Sequence, residues 1–348
     1  MHRILAALAL ALSATLAFAG SYCVIDPPRP GASTGFYVAK QSTQRAVSSA
    51  DTAYRLYTPA GDEFRPHGVN NNHWDAWGAA AGIPLSGANM ERVFLRFTDP
   101  VSTTWPIVSG IRASGIVPIP TNWTTTCKSD QASLAAAVDT WVAQAPTWTQ
   151  LNDSGLINIA NEWGPADSGW LTGYTTAVQR MRAAGYTGAL LVDAGGCGQD
   201  ARTLVSYGSQ LLDADPLHNL VFGVHIYGVW HVVTSTTPYQ SWWGFTYDSM
   251  MTQLRATGLP VIVSEFGPYN GGNSSSKTLV PPDKLIADAE ANGWGWLAWS
   301  WDDNNLAGCK SDDNGFSMTT LCGVYTGKDD TELTAWGRTI VQALKARR

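Results

Sequence analysis

Eight short apolar runs rich in β-branched residues recur along the chain, and most of the gaps between them carry helical spacing. No other feature restricts the fold as much. The runs are FRPHGVN (Phe64–Asn70), ERVFLRF (Glu91–Phe97), GIVPIPTNW (Gly115–Trp123), LINIANEW (Leu156–Trp163), ALLVDAG (Ala189–Gly195), LVFGVHIYG (Leu220–Gly228), PVIVSEFG (Pro260–Gly267) and WGWLAWSWD (Trp294–Asp302). Between them, SDQASLAAAVDTWVAQ starts at a Ser/Asp cap and repeats apolar residues every three to four positions. SGWLTGYTTAVQRMRAAG, DARTLVSYGSQLLDA, SWWGFTYDSMMTQLRATG and PDKLIADAEANG behave alike, several of them ending at Gly. The first two gaps read as poorer helices. Strands alternating with helices predict a parallel sheet, and eight of them favour an α/β fold of the (β/α)8 TIM-barrel type over an open doubly wound sheet. No G-x-G-x-x-G follows the first run, so a dinucleotide fold gains no support. The stretch YTPAGDEF before the first run predicts a small antiparallel hairpin capping the barrel bottom.

The first residues are not fold. His2 and Arg3 precede an apolar stretch reaching Phe18, and Ala17-Phe18-Ala19 is a small-x-small cleavage pattern. Residues 1–19 therefore read as a signal peptide, and residues 20–348 as one exported catalytic domain, since no low-complexity linker divides them. The apolar stretch is too short and too interrupted by Ser13 and Thr15 for a good membrane span. Charged residues are only 14% of the chain, against roughly 25% in typical domains. The formal net charge is −6 with no basic run longer than the terminal KARR, which disfavours nucleic acid as a partner. The 16 Trp and 12 Tyr suit a neutral, ring-shaped ligand better. Among the five Cys there is no C-x-x-C and no His spacing that suggests zinc. Cys309 and Cys322 bracket the loop KSDDNGFSMTTL and form a plausible local disulfide; Cys127 with Cys197 is a second candidate pair, leaving Cys23 odd.

In such a barrel the strand interiors pack and the C-terminal strand ends carry chemistry. Polar residues gather at those ends. The first run ends in Asn70, followed by Asn71, Asn72, His73 and Trp74; the second carries Arg92; the fourth ends in Asn161-Glu162. The sixth presents His225 and Tyr227, two apart and so on one face; the seventh ends in Glu265; the eighth supplies Trp299 and Trp301. A single Glu after a strand is most often a solvated loop carboxylate. Two of them, each closing an otherwise uncharged apolar run on facing strands, form a pair able to flank one bond. Glycosidic hydrolysis needs such a pair, one protonated to donate to the leaving oxygen and one ionised to attack. The bland alternatives are a structural ion pair for Arg92, a hydrogen-bonded core position for His225, and packing for Trp294 and Trp296. Strand-end Trp rings are expected to stack on sugar faces. The triplets at Asn122, Asn152 and Asn273 match N-x-Ser/Thr, a pattern that arises often by chance.

The segments INIANEW, VIVSEFG, VHIY and GWLAWSW resemble the strand 4, 7, 6 and 8 signatures of glycoside hydrolase family 5, in the retaining clan A of (β/α)8 barrels. Within that family the nearest likeness is to bacterial endo-β-1,4-mannanases, extended by GFYV, GVN, GAN, LLDADP and LTAWGRTIV over most of residues 34–342. The resemblance implies Glu162 as general acid/base and Glu265 as nucleophile. It implies Asn161 on the sugar 2-hydroxyl, Arg92 and Tyr227 holding Glu265 ionised, and His225 beside Glu162. Trp299 would form the floor under the reactive sugar, with Trp301, His73 and Trp74 as further sugar contacts. Two departures stand out. Family relatives carry a His at the end of strand 3, where this chain reads PIPTNWTTTC, and mannanase relatives carry a Trp near the position of Cys197. A Cys127–Cys197 bridge would lace those two loops together.

The expected function is thus a secreted, retaining endo-β-1,4-mannanase acting as a monomer on β-linked polysaccharide, without cofactor or metal and without a membrane partner. A β-1,4-glucanase of the same mechanism and a non-catalytic carbohydrate-binding barrel are the alternatives. Asp302, Asp312 and Asp313 offer oxygen ligands for Ca²⁺, but a solvated loop pinned by Cys309–Cys322 is the favoured reading.

Overall fold

Eight parallel strands close into a barrel, in order along the chain. They are β1 (His67–Asn72), β2 (Met90–Leu95), β3 (Val117–Asn122), β4 (Ile157–Asn158), β5 (Leu190–Asp193), β6 (Leu220–Ile226), β7 (Val261–Phe266) and β8 (Gly295–Ala298). This computed structural model describes residues 35–41, 53–72, 82–227, 230, 232–234, 237–240, 245–268, 280–302, 315–320 and 323–347. The expected signal segment 1–19, Cys23, His73, Trp74, Asn273, Cys309, Asp312, Asp313 and Cys322 lie outside the described residues.

A helix follows each strand: α1 (Ile83–Ser86), α2 (Val101–Ala113), α3 (Gln131–Ala143), α4 (Ser168–Ala183), α5 (Arg202–Ala214), α6 (Tyr247–Ala256), α7 (Pro282–Ala291) and α8 (Ala335–Lys345). The caps match the residue types at their starts. Asp130 accepts from Ser133 N–H at α3, Asp167 from Gly169 N–H at α4, and Thr246 with Ser249 completes a reciprocal capping box at α6. The first gap is a poor helix, as its sequence suggests, with only four residues. The second is not. α2 runs for 13 residues despite Pro106, because Thr104, Val108 and Ile111 bury one face against the barrel. Tertiary packing outweighs the weak propensity there. Among the described residues, no helix is long and apolar enough to cross a membrane.

The barrel interior is layered. Met90, Ile119, Leu156, Leu191, Val221, Ile262 and Leu297 form an apolar floor, and Phe36, Val38 and Leu56 plug it from below. Val38 and Leu56 belong to the strands Tyr37–Lys40 and Tyr54–Tyr57, which pair antiparallel, and Phe36 immediately precedes the first. The YTPAGDEF turn does fold back, through Thr58 N–H to Asp62 O (2.8 Å) and Phe64 N–H to Leu56 O (2.8 Å), but the fuller partner of Tyr54–Tyr57 is the earlier strand. Val38 N–H fixes the plug by donating to Asn219 Oδ1 at 3.0 Å, just before β6. Truncating one buried Leu in such a layer costs about 2–5 kcal/mol, whereas an exposed ion pair contributes about 0–1 kcal/mol. The floor, rather than surface charge, therefore anchors the strands.

Most of the described tryptophans serve packing. Trp141, Trp148, Trp163, Trp170, Trp230, Trp296 and Trp301 are wholly buried. This corrects the expectation that Trp301 contacts sugar alongside Trp299. Trp301 in particular donates from Nε1 to Gly323 O (2.9 Å) inside the core, so its ring is not available as a sugar contact. Asn122 and Asn152 are also engaged locally, Asn122 buried as the cap of the turn Trp123–Thr125 and Asn152 bonded to Gly185, Thr187 and Gly188.

Two charge clusters tie the outer layer to the barrel. Arg182 of α4 grips Asp215 with two bonds (2.9 and 2.8 Å), which accounts for the second Asp of LLDADP. At the barrel bottom Glu290 receives Arg65, Arg347 and the Trp296 Nε1–H, and His67 Nε2 lies 3.0 Å from it. Burial, aided by Arg347 and Arg65, outweighs the pull of Glu290 and lowers the His67 imidazole to about 4. His67 thus stays neutral in the folded chain while the unfolded chain takes up a proton below 6.5, so acid favours unfolding. Stability should fall between about pH 6.5 and about pH 4, by up to ~3 kcal/mol from this group. Denaturant melts of wild type and His67→Gln across that range check this: the variant should lose less, and parallel curves would exclude the effect.

Candidate active site

Above the apolar floor the inward positions turn polar. Arg92, two residues along β2 from Met90, occupies the barrel axis and is wholly buried. A guanidinium without water must find its partners within the protein. Nη1 donates to Glu265 Oε1 (2.5 Å) and Asn70 Oδ1 (3.1 Å). Nη2 donates to Asn161 Oδ1 (2.6 Å), Asn158 Oδ1 (3.0 Å) and Asp193 Oδ2 (3.2 Å). The planar fork reaches β1, β4, β5, β7 and the turn after β4 at once, which a point charge on a lysine stem would not do. Asn70 is itself fixed by donating to Ser264 O and Leu297 O.

Glu265 reaches the interior through a break in β7. Val263 pairs with Val224 but Glu265 with His225, so one extra residue stands on β7 at Ser264. Strict alternation from the inward Ile262 would send Ser264 in and Glu265 out. The bulge re-aims Glu265 inward, a common use of bulges beside active sites. Space for this crowded level comes from Gly223 on β6, where a Cβ would stand 2.4 Å from Asp193 Oδ1 and 2.6 Å from Ser264 Oγ. Tyr227 OH donates to Glu265 Oε2 at 3.1 Å. Burial, and then the charges of Glu265 and Glu162, push the Tyr227 phenol well above its ordinary value, so it remains a donor.

Glu162 sits in a different environment. Its backbone is left-handed (φ 52°), unusual for Glu, and its N–H donates to Asp193 Oδ2 at 3.0 Å. Its Oε1 lies 2.9 Å from His225 Nδ1, whose ring is wholly buried and also 3.5 Å from Glu265 Oε2. Burial raises the Glu162 carboxyl above its ordinary value against the lowering effect of the His225 hydrogen bond, and the charges of Glu265 and Asp193 push the same way as burial. For His225 burial opposes the charge, but Glu265, Asp193 and Glu162 outweigh it and raise the imidazole. One oxygen of Glu162, one of Glu265 and a His225 nitrogen all lie within 4.8 Å of one another. Two carboxyl groups with different neighbours thus face one small space, Glu265 held by Arg92 and Tyr227 and Glu162 by His225.

The other sequence candidates fall around this pair. Asn161 is buried, its Nδ2 donating to Thr126 Oγ1 at 2.9 Å. Trp299, beyond β8, is half-buried and packs edge-on against Phe94 (5.0 Å between centroids), while its carbonyl accepts from Trp336 Nε1 of α8. Cys127 and Cys197 form a disulfide. Asp193 is the member that sequence inspection missed. It contacts Arg92 and the Glu162 backbone, and its Oδ2 lies 3.7 Å from His225 Nε2. Its signal was available in ALLVDAG, an apolar run closing on a charge as the Glu runs do.

Residues 112–305 match the sequence model of the cellulase family, glycosyl hydrolase family 5. The mannan endo-1,4-beta-mannosidase of Salipaludibacillus agaradhaerens is 29% identical over 297 residues, covering 82% of this chain and 88% of that protein. The enzyme of the same name from Cellvibrio japonicus (strain Ueda107) is 31% identical over 327 residues; this chain spans 66% of its length, and 89% of this chain is covered. The mannohexaose complex of Thermomonospora fusca beta-mannanase superposes with a TM-score of 0.65 at 30% identity, covering 82% of this chain and 91% of that one.

Proposed function

The chain belongs to glycosyl hydrolase family 5, and we propose that within it the protein is a secreted, retaining endo-β-1,4-mannanase for β-mannan, glucomannan and galactomannan. The observation that carries the mechanism is the pair Glu162 and Glu265, with an oxygen of each within 4.8 Å of the other and with opposed surroundings. Retaining glycosidases hold their carboxyl groups about 5–5.5 Å apart, inverting ones about 6.5–9.5 Å. The substrate assignment rests on relatives named as mannan endo-1,4-beta-mannosidases over most of the chain.

In this reading Glu265, its oxygens bonded by Arg92 and Tyr227, attacks the anomeric carbon. Glu162, protonated through burial, gives its proton to the departing glycosidic oxygen as that C–O bond breaks. A water then attacks the anomeric carbon of the glycosyl–Glu265 intermediate. Glu162, now ionised, takes the water proton, the new C–O bond forms on the original face and Glu265 leaves as carboxylate. His225, between the two carboxyl groups, stabilises the charge that moves from one to the other. Asn161 presents its amide to the 2-hydroxyl, and Trp299 supplies the floor under the reactive sugar. The pattern at residues 17–19 supports export, with residues 20–348 as the catalytic domain.

Reducing-sugar assays on a panel of β-glycans test the substrate. Release from mannan and galactomannan, with little from carboxymethylcellulose, is expected. The reverse preference would make the enzyme a β-1,4-glucanase, and no release from any β-glycan would make it a binding barrel.

A further inference from the structure

Four non-glycine residues among those described have positive φ, and three of them, Cys127 (56°), Glu162 (52°) and Cys197 (57°), meet at one spot. Such backbone is strained for a residue with a side chain and persists only where surroundings impose it. The surroundings here are two outer loops clasping a middle one. Gly164 N–H, just after Glu162, donates to Lys128 O of the loop after β3 (2.9 Å). Gly164 O accepts from Gly196 N–H of the loop after β5 (2.9 Å). The disulfide joins those outer loops, with Cα atoms 4.4 Å apart and across 70 residues of sequence. One of its sulfurs touches the Glu162 side chain. Cys127 Sγ lies 3.5 Å from Glu162 Oε2, the oxygen not facing His225. As a disulfide sulfur it has no proton to donate, so it offers that oxygen an apolar neighbour in place of water.

We propose that the Cys127–Cys197 disulfide is a positioning element of the reaction, strapping the Glu162 turn in its left-handed form and walling the solvent side of its carboxyl group. The proposal rests on Glu162 being the acid/base. The other groups facing Glu162 are His225 and Tyr227 from β6 and its end, Glu265 from β7, and Asp193 from β5, with Arg92 of β2 behind Asn161. The wall acts in the same direction as burial: a carboxyl denied water holds its proton to higher pH. Glu162 side-chain exposure is only 12%, so removing one wall changes its hydration substantially.

The test compares pH–rate profiles on mannan for wild type, Cys127→Ala/Cys197→Ala and Cys127→Ser/Cys197→Ser, each checked by thermal melting. The alkaline limb reports loss of the acid proton. In the serine variant, whose hydroxyl can bond the ionised carboxylate, it should move down by about one pH unit, and less in the alanine variant. kcat should fall about 10- to 100-fold in both through misplacement, with KM changing far less. Folded variants with the wild-type limb and kcat would overturn the proposal and leave the disulfide a stability element. Should neither variant fold, the bridge is opened in folded wild type by a water-soluble phosphine. The phosphorus takes oxygen from water, the sulfurs become two thiols, and alkylation mapping verifies both cysteines. Cys127 is exposed, so the reagent can reach it. The same downward shift is expected, and an unchanged profile after verified reduction would overturn the proposal. Wild type inactive on every β-glycan would instead refute the acid/base assignment beneath it.

Discussion

Glu265→Ala should lower kcat on mannan by more than ~10⁴-fold, the scale seen when a covalent nucleophile is deleted. The variant should still fold. Arg92 keeps Asp193, Asn70, Asn158 and Asn161 as partners, and the lost carboxylate relieves its like-charge repulsion with Glu162. Added azide separates loss of the nucleophile from loss of shape. Occupying the space vacated by the carboxylate, azide attacks the anomeric carbon directly, and Glu162 still protonates the leaving oxygen. The product is a glycosyl azide of inverted configuration. An unchanged hydrolysis rate would refute the nucleophile assignment, and a dead variant that azide cannot rescue would place the defect elsewhere.

Arg92→Met should be the most damaging single change to stability. It leaves Asp193 and Glu265 buried without their cation and strips Asn158 and Asn161 of a donor. Breaking a buried pair from one side costs about 3–5 kcal/mol, against about 5–15 kcal/mol for the whole stability of a domain. Arg92→Lys should recover part of the charge but little of the activity, since an ammonium cannot span the same acceptors. Urea unfolding checks both variants. A loss below about 0.5 kcal/mol for Arg92→Met, the range of ordinary surface changes, would mean that Arg92 is not the centre of the network.

The barrel was legible because its strands are buried on both faces and announce themselves as apolar runs between capped helices. The residues closing those runs were legible for the same reason: a charge such as Glu162 or Glu265 has no stabilising motive there. Periodicity does not reveal a bulge. Alternation from Ile262 puts Glu265 on the wrong face, and the extra residue at Ser264 corrects it. Nor does it reveal the use of a ring. Trp301 and Trp299 stand two apart, yet one is core and the other half-buried, because that depends on what α8 and the chain around Gly323 bring against them. α2 hid behind Pro106 and its β-branched neighbours. Asp193 carries the same signal as the two glutamates, a charge closing an apolar run, but its strand offers no family-like motif beyond it. The lacing of the Cys127 and Cys197 loops was legible, but the strap over Glu162 needed coordinates, since nothing in the chain shows that those loops clasp the Glu162 turn between them.

The central claim is that Glu162 and Glu265 act on one β-1,4-mannosidic bond by double displacement. Time-resolved proton NMR of mannohexaose hydrolysis tests it most directly, because the first-formed reducing end reports the stereochemistry before mutarotation erases it. The β-anomer should appear first and the α-anomer only later. Initial α-anomer would contradict the double displacement, and with it the roles given to both carboxyl groups.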